Sequence, residues 1–272
     1  MITNKEPLVS IIMNCYNGEK YVYEAINSVL SQTYTNWELI FWDNLSTDKS
    51  KDVFFNFNDI RLKYKLSDNH TNLSEARIKA IKKSQGSLIA FLDVDDFWHK
   101  DKLEKQVSLF NDKDIMFSCT SCKVIYENSN KRLDIEPPRS LSGQVFNELL
   151  ENYFVVLSSL MIRQYAYNAT GGFSKKYHII GDFDLVTKLA LHGRCGIAHE
   201  FLTYNRKHDN NESIIKSNIH SQELLEWKQC NVELLNTANQ NSRDKLIKNI
   251  EFSCIVNDIN KKNVSIDTIR MC

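Results

Sequence analysis

The sequence is short of glycine and proline and carries no excess charge of either sign. Its 272 residues include 8 glycines and 3 prolines, which argues against collagen-like, linker-rich and repeat-turn architectures. Lys and Arg number 34, and so do Asp and Glu, so the formal net charge is zero. Without a basic field the chain is not expected to bind nucleic acid, and at 42% hydrophobic it is expected to fold as an ordinary globular protein.

Long apolar runs are also missing. No stretch approaches the roughly 20 apolar residues that a membrane span needs, and the start at Met1 shows no apolar leader segment. The seven cysteines are an odd number, so we expect reduced thiols and a cytoplasmic protein. The lone Cys119–Cys122 pair is not expected to bind zinc, because positions i and i+3 of a strand face opposite sides. Peripheral contact with the inner face of the cell membrane and a homodimer both stay open.

Strand and helix signals alternate over the first 120 residues. Short apolar runs predict strands, the alternating stretch 61–66 predicts a half-exposed strand, and apolar residues at helical spacing predict helices between them. This alternation predicts parallel strands with right-handed crossovers, whose ligands bind at the carboxyl ends of the strands. The predicted strands are 8–13, 38–42, 61–66 and 87–92, and the predicted helices are 21–30, 46–57, 72–85 and 100–110.

The second half of the chain has weaker signals. Its pattern predicts one or two strands, then an exposed loop, and later a polar, amphipathic region that forms two helices packed on the main body. The predicted segments are strands at 114–126, a loop at 127–140, a helix at 141–153, a buried strand at 155–162, a helix at 182–191 and the two helices at 217–260.

Three carboxylates directly follow the fourth predicted strand, at Asp93, Asp95 and Asp96. Carboxylates this close repel one another unless a cation or hydrogen bonds offset their charge. An Asp-x-Asp at a strand end suits a hard divalent ion, Mg²⁺ or Mn²⁺, that completes its shell with phosphate oxygens. Asp96 has an alternative role as the N-cap of the following helix, whereas Asp93 and Asp95 predict a binding site.

Five segments resemble, in their order and spacing, the motifs of family 2 glycosyltransferases with the GT-A fold, and bacterial surface-polysaccharide transferases in particular. The resemblance covers residues 6–215. It implies an α/β, Rossmann-like fold with a mixed, mainly parallel central sheet flanked by helices. The implied domains are 1–215, with a nucleotide-binding half at 1–110 and an acceptor-binding half at 111–215, and a C-terminal helical extension at 216–272. The segments are Pro7–Asn17, Ser28–Thr33, Trp37–Ile40, Asp43–Asp48 and Phe91–Asp96.

The resemblance also implies roles at the nucleotide end. Asp43 would accept the imide N–H of a uracil ring, Asp93 would contact the ribose, and Asp95 would be the direct metal ligand. Arg77 would lie near the diphosphate. Alternatively, Asp43 is a turn-forming residue, and Arg77 is a surface residue paired with a neighbouring acid.

One motif departs from the family pattern. Where the family usually has Asp-Asp-Gly-Ser, this chain has Asp43, Asn44, Leu45 and Ser46, so a charge and a turn glycine are both replaced. We expect the geometry of this loop to differ from the family's.

The acceptor end is implied by Gly171, Gly172 and Phe173 and by the acidic residues after them. Asp182 matches the family's catalytic base, whereas Gly181 stands where the family usually has another acid. Asp184 is the alternative base. Asp182 could also serve only as the cap of the helix that follows.

A basic segment follows a strand-like stretch, and some members of the family carry a similar segment over the diphosphate. The resemblance implies that Arg206 would neutralise the leaving diphosphate and that His208 would complete the metal shell through a ring nitrogen. The alternative is an exposed polar loop without a fixed role.

Together these features predict an inverting, metal-dependent glycosyltransferase that uses Mn²⁺ or Mg²⁺. The expected donor is a nucleotide-sugar, a UDP-sugar in the first place, and the expected acceptor is a glycan or a lipid-linked glycan. A sugar-1-phosphate nucleotidyltransferase would need a glycine-rich loop after the first strand, but 14–20 contains a single glycine. A non-catalytic nucleotide-sugar-binding or assembly subunit with the same fold is the second alternative.

Overall fold

The computed structural model describes residues 6–129, 131–141 and 143–261 and places a nine-stranded sheet between layers of helices. The strands are β1 (Val9–Cys15), β2 (Trp37–Asp43), β3 (Leu62–Leu66), β4 (Leu88–Phe91), β5 (Phe97–Trp98), β6 (Ile115–Tyr126), β7 (Arg132–Ile135), β8 (Met161–Arg163) and β9 (Arg194–Lys207). The helices are α1 (Val22–Leu30), α2 (Ser50–Phe55), α3 (Leu73–Ile81), α4 (Lys102–Leu109), α5 (Phe146–Glu151), α6 (Gln164–Ala169), α7 (Gly181–His192), α8 (Glu212–Ile215), α9 (Ser217–Cys230), α10 (Val232–Thr237) and α11 (Gln240–Lys261).

The strands follow the order β3-β2-β1-β4-β8-β6-β9-β5, and β7 pairs with the outer part of β6. Parallel pairing joins β1 to β2 and β4, β2 to β3, and β6 to β9. The short strands β5, β7 and β8 run antiparallel to their neighbours. The predicted mixed, mainly parallel sheet is therefore confirmed, and it brings the carboxyl ends of β1, β2 and β4 to one edge.

Strand β1 lies between two apolar cores, one on each face of the sheet. Val9, Ile11 and Met13 belong to the core beneath α1, α2 and α4, whereas Ile12 belongs to the core beneath α3, α5 and α7. Burial on both faces explains why this strand reads as a continuous apolar run rather than an alternating one.

The predicted buried strand at 155–162 is wrong over most of its length. Leu157–Ser159 form a 3₁₀ turn, and β8 begins only at Met161. The Ser159 hydroxyl donates to the Val156 carbonyl at 2.7 Å. Serine hydroxyls that bond nearby backbone compete with strand pairing, so Ser159 favours a turn within an apolar run.

Two other predictions also need correction. The expected loop at 127–140 contains the edge strand β7, and the expected two helices at 217–260 are α9, α10 and α11. Asn231 separates α9 from α10, and its side-chain amide donates to the Trp227 carbonyl at 2.8 Å. Asn239 precedes α11, and its side-chain oxygen accepts the Ser242 backbone N–H at 2.8 Å. Asparagine favours such local bonds over continuing a helix.

The C-terminal extension packs on residues of the second half of the chain. Trp227, Leu235, Leu246 and Ile250 are buried in the core that also contains residues of α5 and α7. The predicted boundary at 215 stays a prediction, and residues 262–272 of the predicted extension lie outside the described residues.

Candidate functional site

A cavity of about 1050 Å³ lies at the carboxyl ends of β1, β2 and β4. The loops after these strands form one wall, the first turn of α7 forms another, and the segment after β9 closes the side. Five of the seven predicted site residues line it, and they come from four separate parts of the chain. These residues are Arg77, Asp93, Asp95, Asp182 and His208.

Pairing between β5 and β9 brings His208 to Asp95. Phe97 lies opposite Tyr204 in this antiparallel pair, so the residues after Tyr204 run back past the acidic loop. His208 Nε2 lies 3.1 Å from Asp95 Oδ2, and Asn211 Nδ2 donates to the same oxygen at 2.8 Å. The His208 ring also stacks on Tyr21, with centroids 4.8 Å apart.

Asp96 points away from the cavity and holds the acidic loop in place. Its carboxylate accepts bonds from the Ser158 hydroxyl, the Asn205 amide and the Arg206 backbone N–H. Burial, followed by repulsion from Asp95 and then Asp93, raises the pKa of the Asp96 carboxyl well above its usual range. The N-cap alternative is excluded, because Asp101 occupies the N-cap position of α4.

Arg77 lies on the wall of the cavity, 6% exposed, and not on an open helix surface. Its guanidinium donates to Asp93 Oδ1 at 3.0 Å, so the alternative of a surface pair is excluded. The Asp93 backbone N–H is held in turn by the Ser158 hydroxyl at 3.1 Å.

Asp182 lies in the first turn of α7, where it lines the cavity. The Tyr153 hydroxyl donates to Asp182 Oδ2 at 3.3 Å. Burial raises the pKa of the Asp182 carboxyl above its usual value, while the positive charge of Arg77 acts in the opposite direction. The Asp182 side chain is not the cap of this helix, since Ile180 is the N-cap residue.

Gly181 stands in the place of the missing acid and lies against the first turn of α3. A Cβ at this position would lie 2.2 Å from Ser74 Oγ, so a side chain there would require the Ser74 hydroxyl to rotate away.

Asp184, the alternative base, is directed into the protein interior. It is 1% exposed, accepts a bond from Trp227 Nε1 at 2.9 Å and pairs with Lys188 at 2.7 Å. It is not among the residues that line the cavity.

Asp43, predicted to contact uracil, lies behind the wall of the cavity. It is 1% exposed, and its carboxylate accepts bonds from the Ser46 backbone N–H at 2.7 Å and the Tyr64 hydroxyl at 2.5 Å. Asn44 lines the cavity in its place. Leu45 adopts a left-handed backbone with φ of 67°, a conformation that glycine adopts more readily.

Arg206 lies outside the cavity. Its Nε donates to the Asp95 carbonyl at 3.0 Å, and its guanidinium pairs with Glu24 and Glu127. It therefore supports the acidic loop from behind, whereas the neighbouring Lys207 lines the cavity.

Asp95 and His208 have the chemistry and spacing for a divalent ion. Among the described residues, no group of three or more His, Cys, Asp or Glu side chains could hold a metal ion. The 3.1 Å between Asp95 Oδ2 and His208 Nε2 suits adjacent ligands of an octahedral ion with bonds of about 2.1 Å. These two residues fit an ion that receives its remaining ligands from phosphate oxygens and water.

The structure adds residues that the sequence did not single out. Asn211 contacts Asp95, and its position three residues after His208 was the available signal. Tyr16 and His70 line the cavity beside Asn44, with ring centroids 4.3 Å apart. No sequence motif marks His70, which lies near Tyr16 because the loops after β1 and β3 meet.

This fold is the GT-A fold of glycosyltransferases, with acidic residues at the strand ends. Residues 10–171 match the family model of glycosyl transferase family 2. The chain belongs to this family, and the resemblance inferred from its motifs is confirmed.

Among characterised relatives, the chain is similar to a UDP-Glc:α-D-GlcNAc-diphosphoundecaprenol β-1,3-glucosyltransferase, WfgD of Escherichia coli. The two are 38% identical over 145 residues, which make up 53% of this chain and 56% of WfgD. The chain thus spans about half the length of the curated relatives it matches.

Two solved structures share the fold at 17% identity. S. aureus TarS 1–349 in complex with UDP-GlcNAc matches with a TM-score of 0.70, over 95% of this chain and 76% of that chain. The mannosyltransferase PcManGT of Pyrobaculum calidifontis, in complex with GDP-Man and Mn²⁺, matches with a TM-score of 0.64, over 91% and 70%. Over its described part, this chain contains no helix long and apolar enough to cross a membrane.

Proposed function

We propose that this chain is an inverting, metal-dependent glycosyltransferase that moves a sugar from a UDP-sugar to an acceptor hydroxyl. The observation that carries the proposal is the convergence of Arg77, Asp93, Asp95, Asp182 and His208 on one cavity. In this proposal Asp95 and His208 hold a divalent ion on one side of the cavity, and the partly buried carboxylate of Asp182 serves as the base on another side. Transfer of a sugar from a diphosphate to a hydroxyl needs both.

The nucleotide is assigned to the part of the cavity along the carboxyl ends of β1 to β4. Tyr16 and His70 offer aromatic faces to the base, and Asp93 is assigned to the ribose. A UDP-sugar is favoured because WfgD is named for UDP-Glc and TarS binds UDP-GlcNAc. Asp43 would act on the base indirectly, by holding the loop that presents Asn44.

Asp95 and His208 would hold Mn²⁺ or Mg²⁺, which when bound supplies positive charge to the diphosphate. Because Mg²⁺ prefers all-oxygen ligands, the imidazole favours Mn²⁺. Arg77 is assigned to keep Asp93 fixed and to contribute charge near the same phosphates.

Asp182 is assigned as the base. It takes the proton of the acceptor hydroxyl while the hydroxyl oxygen forms its bond to the anomeric carbon. The bond from that carbon to the diphosphate oxygen breaks on the opposite face, and UDP leaves with the electron pair, so the configuration inverts. The raised pKa of Asp182 makes its carboxylate a stronger base than an exposed one.

A lipid-linked glycan, as in bacterial surface-polysaccharide synthesis, is proposed as the acceptor. Apolar side chains at the cavity wall, Leu133, Ile135 and Ile215, suit an amphipathic molecule, and WfgD is named for a diphosphoundecaprenol-linked acceptor. The enzyme would then work in the cytoplasm, at the inner face of the membrane and in peripheral contact with it. A homodimer stays a prediction.

UDP release tests this proposal. Purified protein would be given UDP-glucose, UDP-GlcNAc and GDP-mannose in turn, with and without Mn²⁺, and with GlcNAc diphosphate linked to a short lipid as acceptor. We expect release to need Mn²⁺, a UDP-sugar and an intact Asp182. Intact UDP binding without metal-dependent turnover of any donor would contradict the proposal and support the non-catalytic subunit.

A further inference from the structure

The segment just before the candidate base has no regular secondary structure. Residues 174–180 connect the Gly-Gly-Phe turn to α7, and His178 and Ile179 line the cavity. The first turn of a helix and the residues before it carry backbone N–H groups without helical partners. Whatever satisfies these groups also fixes the direction in which the first turn of α7, with Asp182, enters the cavity.

A single carboxylate from the C-terminal extension satisfies three of them. Glu223, on α9, is 7% exposed. It accepts the backbone N–H of His178 at 2.5 Å, of Ile179 at 2.8 Å and of Ile180 at 3.1 Å. A carboxylate at the N-terminal end of a helix is also favoured by the helix dipole, and charge-assisted bonds of this kind are among the stronger ones.

Helix α9 also contacts the residues that follow Asp182. Trp227, one turn after Glu223, is fully buried and donates to Asp184 at 2.9 Å. Its ring packs edge-on against Phe183, with centroids 4.8 Å apart. Helix α9 therefore contacts the chain immediately before and immediately after Asp182.

We propose that Glu223 is a positioning residue that sets the orientation of Asp182 through the backbone of 178–180. The C-terminal extension thereby completes the active site, although the family match ends at residue 171. This inference rests on the proposed function, because it requires Asp182 to act as the base.

The first test measures amide hydrogen exchange and needs no substrate. In Glu223→Gln, the one remaining carbonyl oxygen cannot replace both carboxylate oxygens, so amides 178–180 should exchange at least about tenfold faster than in the wild type. Glu226→Gln on the same helix is the matched control, since Glu226 is about half exposed and pairs with Lys176. Unchanged exchange at 178–180 in Glu223→Gln would overturn the inference whatever the activity.

The second test uses UDP release from UDP-GlcNAc or UDP-glucose with Mn²⁺ and the lipid-diphosphate acceptor. Displacing a catalytic group by about an ångström costs roughly 100-fold in rate. We expect kcat of Glu223→Gln to fall by about that factor, with KM for the donor and UDP affinity within about twofold of wild type. Equal losses in kcat and UDP affinity would indicate general damage and overturn the inference, as would a wild-type kcat.

Two further variants keep the test decisive. If Glu223→Gln does not fold, Glu223→Asp keeps the charge on a shorter side chain, and faster exchange at 178–180 with a loss of kcat at constant UDP affinity is again expected. The double variant Asp182→Asn, Glu223→Gln should be no slower than Asp182→Asn alone, because coupled residues are not additive. Near-normal turnover of Asp182→Asn would refute the proposed base instead, and the exchange result would then stand separately.

Discussion

The proposed metal end of the cavity, at Asp95 and His208, and the proposed acceptor end, at Asp182, are stabilised by different kinds of hydrogen bond. At the metal end, His208 and Asn211 bond directly to the Asp95 carboxylate, the group assigned to the ion. At the acceptor end, Glu223 bonds to the backbone that leads to Asp182 and not to its carboxylate. A bound ion would replace the hydrogen bonds to the Asp95 carboxylate, whereas the hydrogen bonds that Glu223 accepts can persist throughout the reaction. The comparison predicts that changes at the metal end affect binding and that changes at the acceptor end affect turnover.

The largest effect is expected at the acceptor end. Replacing Asp182 by Asn removes the base and keeps the shape, so kcat should fall by about a thousandfold. UDP affinity, measured by calorimetry, should stay within about twofold of wild type.

Asp184→Asn is the control for this variant, because it changes a neighbouring carboxylate that does not line the cavity. It should lower the melting temperature through the lost Lys188 pair and retain most of its turnover. A wild-type kcat for Asp182→Asn would place the base elsewhere.

Changes at the proposed metal end should alter the affinity for UDP. Asp95→Asn removes the charged ligand assigned to the ion, so the strengthening of UDP affinity by Mn²⁺ should fall by about 100-fold or disappear. Calorimetry with and without Mn²⁺ measures this, and Asp101→Asn, after the acidic loop, should behave as wild type. Mn²⁺-dependent UDP affinity that survives in Asp95→Asn would contradict the assigned ligand.

Arg77 donates to Asp93 and lowers the pKa of Asp182, so its removal should shift the pH dependence of kcat. Burial raises the pKa of Asp182 and Arg77 lowers it, so Arg77→Gln should raise it further. Because the base works in its ionised form, activity is lost as the pH falls through this pKa. The acidic limb of kcat should therefore move to higher pH.

Lys79→Gln, on the same helix, removes a positive charge that does not line the cavity and should leave this limb unchanged. An acidic limb that stays in place in Arg77→Gln would show that the limb does not report Asp182.

The smallest effect is expected from Tyr153. Its hydroxyl donates to Asp182 at 3.3 Å, and Tyr153→Phe keeps the ring while removing this bond. Loss of one hydrogen bond to a charged group should reduce kcat by about tenfold or less, with unchanged UDP affinity. A loss as large as that of Asp182→Asn would mean that Tyr153 itself takes part in proton transfer.

Much of the fold of residues 1–110 followed from local patterns. Apolar runs predicted β1, β2 and β4 within a few residues because these strands are buried on both faces, and alternation predicted the half-exposed β3. Asp93 and Asp95 could be expected at a binding site because they directly follow a strand, whereas Asp182 was expected there from its match to the family motif.

Residues whose partners lie far along the chain were harder to predict. Asp43 and Arg206 were expected at the cavity, but Tyr64 binds the first, and Glu24 and Glu127 bind the second. The turn at Leu157–Ser159 was missed because an apolar run does not reveal which hydroxyls will bond to nearby backbone.

The sequence by itself determined where β1 to β4 lie along the chain and which acidic residues stand at their ends, because hydrophobic periodicity and strand-end residues are local properties. Only the tertiary structure decided that His208 meets Asp95, that Gly181 makes room for Ser74, and that Glu223 holds the segment before Asp182. These contacts join residues 43 to 113 positions apart. They depend on the β5–β9 register and on how α3, α7 and α9 pack, which the local pattern of residues does not specify.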